Sequence, residues 1–261
     1  MDNLDLRSAR SLSAGERAEL FTAAYEGYLL PFRIDEQQLA AMDDAFDIDA
    51  EASRIAFRGG EPVGLGNLGV RGDDAWIGGI GVVTAARRSG IGQALMRALH
   101  DQARERGVRR VWLEVIVENT GAFALYEKLG YRTIREVEVW SLAAEEGPTS
   151  GREIPAPQAQ ARIRKVSSGR EPWQRSDGTL GHYDDLRGLE SGDGVALFRA
   201  TAAVQLLQLA GQAEPLLSAL RRLGTVSVLN LPTDDPVAET LRSLEATVVV
   251  RQHEMLLELE H

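Results

Sequence analysis

The six residues Arg87-Arg88-Ser89-Gly90-Ile91-Gly92 decide how this chain is read. They follow an apolar, strand-like run from Trp76 to Val83 and open a segment with apolar residues at Ile91, Ala94, Leu95, Ala98 and Leu99. That spacing is the mark of a helix with one buried face. Gly107 stands where a left-handed C-cap would stop the helix, behind Arg104 and Arg106 at the negative end of its dipole. Glycines at 90 and 92 let the backbone come close to a ligand, and the first free N–H groups of a helix point at an anion. Arg87 and Arg88 add positive charge. Taken alone, the turn supports two readings, an anion cradle and plain turn geometry before a helix.

Outward from the turn, strand-like and helical runs alternate. Pro62 to Val70, Trp76 to Val83, Arg110 to Val117 and Thr133 to Leu142 read as strands, and Gly121 to Lys128 reads as a helix. An α/β or α+β domain follows. Residues 144–159 gather Glu145, Glu146, Gly147, Pro148, Ser150, Gly151, Pro155 and Pro157 with almost no apolar periodicity, a linker composition. Beyond them the order partly repeats: strands at Gly194 to Ala200 and Ala202 to Leu209, a helix from Glu214 to Leu223 and a strand at Thr225 to Leu229. A helix at Pro236 to Leu244 and a strand at Thr247 to Leu257 complete it. Asn230 against Asn119, and Leu241 to Leu244 against Tyr126 to Leu129, suggest a second copy of one unit. The expected organisation is a domain over 1–143, a linker over 144–159, a second domain over 160–258, and an expression-tag remnant at 259–261 ending in His261.

Length and composition agree with two modest domains. The chain has 261 residues, 44% hydrophobic and 26% charged, as in an ordinary soluble protein. A net charge of −10 argues against nucleic acid as a partner, because phosphate binding needs a clustered basic surface. The absence of cysteine excludes disulfides, thiolate metal sites and a cysteine nucleophile. No run approaches the ~20 apolar residues of a membrane span, and the N-terminus lacks a secretory pattern, so no membrane partner and a cytoplasmic location are expected. His182 and His253 lie far apart without a ligand spacing, so no metal is expected. His100 falls off the apolar helix face and is expected in solvent. Asp43, Asp44, Asp47, Asp49 and Glu51 form an acidic cluster that reads as a solvated face or as an attraction for a cationic ligand. Tyr25, Tyr28, Phe32 and Trp76 read either as core or as the lining of a pocket.

The strand from Trp76 to Val83, the turn at 87–92, the Leu113-Glu114-Val115 strand and Asn119-x-x-Ala122-x-x-Leu125-Tyr126-x-x-Leu129-Gly130-Tyr131 together resemble the GNAT superfamily of N-acetyltransferases. The resemblance is specific over residues 75–142, loose before them, and faint in the second half, which looks like a degenerate tandem copy. It implies a mixed, mostly antiparallel sheet, splayed in the middle, flanked by helices and built twice in tandem. It also implies acetyl-CoA as cosubstrate, with the backbone of Ile80, Gly81 and Val82 meeting the pantetheine arm. Arg87, Arg88, Ser89, Gly90, Ile91 and Gly92 would hold the pyrophosphate. Asn119 would touch the cofactor or simply cap its helix. Thr84 departs from the family's usual proline, which touches no substrate.

By the same resemblance, Tyr126 is the acid that protonates the leaving thiolate, and Glu114 a base for the attacking amine; both are alternatively structural. Members acting on peptide N-termini have a glutamate and a tyrosine at places similar to 114 and 126. A thioester is attacked only by a neutral amine, and an alkyl ammonium has a reference pKa of about 10.4. The expected reaction is therefore acetyl transfer from acetyl-CoA to a primary amine, small-molecule or peptide, by direct attack in a ternary complex. The alternative is a non-catalytic acetyl-CoA sensor. The second half has one glycine and no arginine in Leu209-Ala210-Gly211-Gln212-Ala213-Glu214-Pro215, and Leu241 and Glu245 in place of Tyr126 and Gly130. It should not hold a pyrophosphate, and is expected to wall the acceptor cleft or to form a homodimer surface.

Overall fold

Side chains that cap helices set the punctuation of the first part. Ser13 with Glu16, and Asp35 with Gln38, form reciprocal capping boxes, so the first two helices start where local chemistry tells them to. The structure is a computed structural model and describes residues 4–28, 32–166 and 169–260. Its elements begin with β1 (Leu4–Ser8), α1 (Ala14–Ala24), α2 (Glu36–Ala45), β2 (Arg54–Arg58), β3 (Glu61–Arg71) and β4 (Asp74–Val82). Then come α3 (Ile91–Glu105), β5 (Arg110–Ile116), α4 (Thr120–Lys128) and β6 (Arg132–Leu142). The later elements are β7 (Arg152–Ile154), α5 (Ala156–Arg164), α6 (Asp177–Leu180), β8 (Arg187–Ser191), β9 (Gly194–Ala200) and β10 (Val204–Ala210). Last are α7 (Ala213–Leu220), β11 (Val226–Pro232), α8 (Pro236–Ser243) and β12 (Thr247–Glu258). No helix among the described residues is long and apolar enough to cross a membrane.

Two compact units result: the chain up to Ile134 together with the tail from Glu254, and Arg135–His253. In unit 1, β1, β2, β3 and β4 pair antiparallel in chain order, and β5 joins β4 in parallel. The sheet is mixed and mostly antiparallel, as the sequence implied. Its two faces are covered by different helices. Gly64 and Gly66 of β3 face α3, where an added Cβ would fall 3.3 Å from Leu95 and 2.8 Å from Leu99. Gly81 of β4 faces α1, where a Cβ would meet that of Ala24 at 2.8 Å. Leu65 packs with Phe21 and Ala24 on the α1 side, and Ile91 and Leu95 with Ala56 on the other.

Unit 2 has the same plan. Its strand order is β6-β11-β10-β9-β8-β7, with β10 and β11 parallel and the other neighbouring pairs antiparallel. Ala159 and Ile163 of α5 pack with Val195, Leu197 and Leu207. Leu216, Leu217, Leu220 and Leu241 of α7 and α8 pack with Trp140, Leu206 and Val228.

The units do not divide at a linker over 144–159. Residues 152–154 form β7 and residues 156–159 begin α5, both within unit 2. The strand expected to close the first domain instead carries Trp140 and Leu142 into the core of unit 2, with Val226 opposite Leu142. Unit 1 takes its last strand from the C-terminal tail. Met255, Leu257 and Leu259 alternate toward Val111, Leu113 and Tyr131, and the Leu259 N–H donates to the Arg109 carbonyl at 2.8 Å. Leu259 is thus a core residue rather than part of an inert tag; His261 lies outside the described residues. Burial decides the exchange, because both tails present the same alternating pattern and only packing distinguishes them.

His100 is also corrected. It is 4% exposed, and its Nε2 lies 2.9 Å from the Tyr131 hydroxyl. The helix turns it toward the end of the sheet, where an aromatic neighbour closes over it.

Two outcomes are expected. Truncation after His253 removes Met255 and Leu259 and should unfold unit 1 while unit 2 keeps its cooperative melt, read by limited proteolysis with mass spectrometry. Burial holds the His100 pKa down from 6.5 to about 4, so the folded protein keeps the ring neutral while the unfolded chain protonates it. Stability should therefore fall as pH drops from 6.5 toward 4, by about 3 kcal/mol at most. Urea denaturation of His100→Gln should show that acid loss removed; an unchanged pH slope would refute the assignment.

Candidate functional site

The ladder between β4 and β5 lasts three residues: Asp74, Ala75 and Trp76 opposite Arg110, Val111 and Trp112. Beyond Trp76 the strands part. One extra residue in β4 shifts its register against β3, from Leu68↔Ile77 to Gly66↔Ile80, which is a bulge. The bulge needs glycine. A Cβ on Gly78 would stand 2.3 Å from the Trp76 ring, and Gly79 has φ +129° with Phe21 3.0 Å from where its Cβ would be. Bent away, Ile80–Val82 keep β3 on one side and have no strand on the other.

A cavity of about 260 Å³ opens in that gap. It is lined by Ile80, Gly81 and Val82 of β4, by Arg87 and Gly92 of the turn, and by Asn119, Ala122, Leu125 and Tyr126 of α4 and its cap. Ala24, Tyr25 and Tyr28, from the end of α1, complete it. Seven of the twelve residues expected at the site are thus brought to one cavity. Arg88, Ser89, Gly90, Ile91 and Glu114 are not among its lining.

Each of those five has a different place. Gly90 is the N-cap of α3 at φ +83°, with no side-chain cap and nothing within 4 Å of an imagined Cβ, so the turn is open to an approaching group. Arg88, at φ +59°, is exposed beside it. The Ser89 hydroxyl donates to the Ala86 carbonyl at 2.6 Å and accepts from Arg58 at 3.1 Å. Ile91 is a core residue under the turn, 1% exposed. Glu114 is half-buried on β5, where the Trp76 indole N–H donates to its Oε2 at 2.7 Å. The alternative partners of Glu114 are engaged elsewhere, Arg132 with Glu258 at 3.1 Å and Arg109 with Asp73 at 3.9 Å.

Arg87 has a role the sequence did not suggest. Its Nε donates to the Val82 carbonyl at 3.0 Å, and its Nη2 to the carbonyls of Ala24 and Glu26 at 2.9 and 2.8 Å. It clamps the end of α1 to the end of β4. Asn119 does cap its helix, accepting from the Ala122 N–H at 3.2 Å, while its Nδ2 donates to the Tyr28 hydroxyl at 3.0 Å. Tyr126 is 6% exposed, and burial, reinforced by Tyr25 and Tyr28, drives its phenol pKa well above the usual value. Its hydroxyl therefore stays protonated at physiological pH.

Tyr25 and Tyr28 belong to the cavity wall, in an aromatic group with Phe21 and Phe32. The signal for them was two tyrosines three apart at a helix end, which core packing produces equally often. Ala24 carried no signal. Trp76 instead packs on Phe46 at 5.3 Å between ring centroids. The acidic cluster fits neither expected reading: Asp43, Asp47 and Asp49 are half-buried in ion pairs with Arg17, Arg71 and Arg106, and only Glu51, paired with Arg10, lies in solvent with Asp44.

Residues 18–131 match the acetyltransferase (GNAT) family. The [ribosomal protein bS18]-alanine N-acetyltransferase of Escherichia coli strain K12 is 45% identical over 65 residues, which are 24% of this chain and 44% of that protein. The chain therefore spans less than half the length of the curated relatives it matches. Among solved structures, a GCN5-related N-acetyltransferase from Sphaerobacter thermophilus superposes with a TM-score of 0.73 at 16% identity, over 98% of this chain and 95% of that one. A tandem GNAT protein from the clavulanic acid biosynthesis pathway superposes with 0.65 at 14% identity, over 98% of each. These likenesses show the fold of both units.

Asn119→Ala should remove one helix cap and the hold on Tyr28 together. The expected result is a loss of about 1 kcal/mol in unit 1 by denaturant titration, with a larger loss of coenzyme A affinity by calorimetry than the cap alone would cause.

Proposed function

We propose that this chain, whose residues 18–131 match the acetyltransferase (GNAT) family, transfers the acetyl group of acetyl-CoA directly to an amine. One observation carries the reading: the gap beyond Trp76 gathers an open strand edge, an uncapped helix start and a buried tyrosine in a single cavity. The residues fit the cosubstrate. Backbone groups of Ile80–Val82 offer strand-like hydrogen bonds to an amide-bearing arm, and the N–H groups at the start of α3 offer donors to a diphosphate. Arg88 adds charge at the same turn.

The cosubstrate supplies an activated acetyl carbonyl on a thiol leaving group. The amine nitrogen attacks the carbonyl carbon, the carbon–sulfur bond breaks with its electron pair leaving on sulfur, and Tyr126 donates its proton there. A phenol with a raised pKa is a weak acid against a thiol of reference pKa ~8.5, yet the same burial raises the thiol's pKa too. Hydrogen bonding to the developing thiolate then matters as much as full transfer. Glu114, which does not line the cavity, takes the proton lost by the amine through an intervening water, its carboxylate oriented by the Trp76 indole.

The acceptor we favour is a peptide α-amine. Its reference pKa of about 7.7–8.0 leaves a sizeable neutral fraction at pH 7, so a half-buried carboxylate suffices as base. The bS18-alanine N-acetyltransferase that matches over 65 residues points the same way. A thiol-release assay with an alanine-initiated peptide, a polyamine, an amino sugar and a small amino acid tests the choice.

Tyr126→Phe should lower kcat by roughly 10²–10⁴-fold while coenzyme A still binds. Glu114→Gln should flatten the acid limb of the kcat/KM profile. Retention of that limb would reduce Glu114 to a structural partner of Trp76. Tight coenzyme binding with no turnover on any amine would make the chain a sensor instead.

A further inference from the structure

Unit 2 repeats the splay that makes the site of unit 1. Its β10 and β11 pair in parallel only over Val204–Leu206 and Val226–Val228, then part. The outer end of this second gap is shut. A Cβ on Gly211 would stand 2.8 Å from the Gly194 Cα and 3.0 Å from the Asp193 carbonyl, whereas Gly90 in unit 1 has nothing near it. The β8–β9 hairpin thus sits where a diphosphate would need to lie.

A cavity of about 540 Å³ nonetheless opens beside this gap, with Gly211 in its lining. Leu206 and Leu209 of β10 and Val228 and Leu231 of β11 give it an apolar wall. Arg175 lies in that wall and is only 4% exposed. Its Nε donates to the Leu207 carbonyl at 2.7 Å, and its Nη2 lies 3.5 Å from a Glu171 oxygen, long for a hydrogen bond. Its Nη1 is buried without a hydrogen-bond partner. A buried donor left unmet is costly, more so on a charged group. Arg135 and Arg170 also line the cavity; of its two acids, Glu171 faces Arg175 and Asp235 is spent capping α8.

We propose that this cavity binds a small monocarboxylate with an apolar tail. The carboxylate accepts from the guanidinium of Arg175, whose planar donor fork matches it, and the tail covers the leucine and valine wall. The site is independent of the coenzyme cavity in unit 1, and its test does not depend on acetyl transfer.

The full chain, saturated with coenzyme A to occupy unit 1, is titrated calorimetrically with octanoate, and with 1-octanol and octylamine as uncharged and cationic controls. Octanoate should bind at one site at least about tenfold more tightly than either control. Arg175→Met should abolish that preference, and Leu209→Trp, which keeps the guanidinium and fills the cavity, should abolish binding. If Arg175→Met fails to fold, Leu209→Trp decides alone. Equal affinity for octanoate and octanol, undiminished binding to Leu209→Trp, or no binding of octanoate into the millimolar range would overturn the proposal and leave Nη1 to ordered water.

Discussion

Three rungs of parallel ladder, Asp74–Trp76 against Arg110–Trp112, hold β4 to β5, and the chemistry of unit 1 depends on the ladder stopping there. Had it run on, the backbone of Ile80–Val82 would be spent on β5 and no cavity would exist. Leaving a strand edge open is normally a liability. Here the bulge at Gly78 and Gly79 turns the edge inward, α1 covers one face, and the opening is narrowed by Tyr25, Tyr28 and α4. Glycine is required for close approach at Gly81, since a methyl there would press on Ala24.

The second unit shows which parts of this device are separable. Its strands part after the same length of ladder, so the splay is a property of the architecture and survives without ligand chemistry. The helix that follows its gap ends as in the first unit: the Ala246 N–H bonds the Leu241 carbonyl as the Tyr131 N–H bonds the Tyr126 carbonyl. Leu241 therefore does stand where Tyr126 stands. Asn230 does not correspond to Asn119. It lies within β11 at φ +50°, accepting from Gln252 at 2.7 Å, and the cap of α8 is Asp235. The true cap lies six residues before Leu241, against seven between Asn119 and Tyr126, whereas Asn230 lies eleven before it, inside the preceding strand.

How much was legible follows from the range of the interactions involved. The strands and helices from Pro62 to Leu142 were legible because each rests on local period and capping. The lining of the cavity beyond Trp76 was legible in part, in Arg87 and Gly92 of the turn and in Asn119, Ala122, Leu125 and Tyr126 of the run that follows. The last strand of unit 1 was not: Met255, Leu257 and Leu259 alternate as any half-buried strand does, and nothing local says which sheet they will join. His100 was missed for a related reason. The buried face of α3 is wider than the Ile91, Leu95 and Leu99 stripe and runs on through Met96, His100 and Ala103, where Tyr131, thirty-one residues later, meets the ring.

The turn at 87–92 illustrates the same limit from the chemical side. Its two arginines look alike in sequence, yet Arg87 donates to the carbonyls of Val82, Ala24 and Glu26, while Arg88 stays exposed. Charge at the surface is screened by solvent and salt and contributes little to holding an anion. In the proposed site the donors are the N–H groups at the start of α3, and these are useful only if the turn does not move. Arg87 ties the strand before the turn to the end of α1, Ser89 ties its middle to Ala86, and Ile91 anchors its far end in the core. The arginine that reads in sequence as a phosphate ligand is, by its contacts, a fastening between the end of β4 and the end of α1.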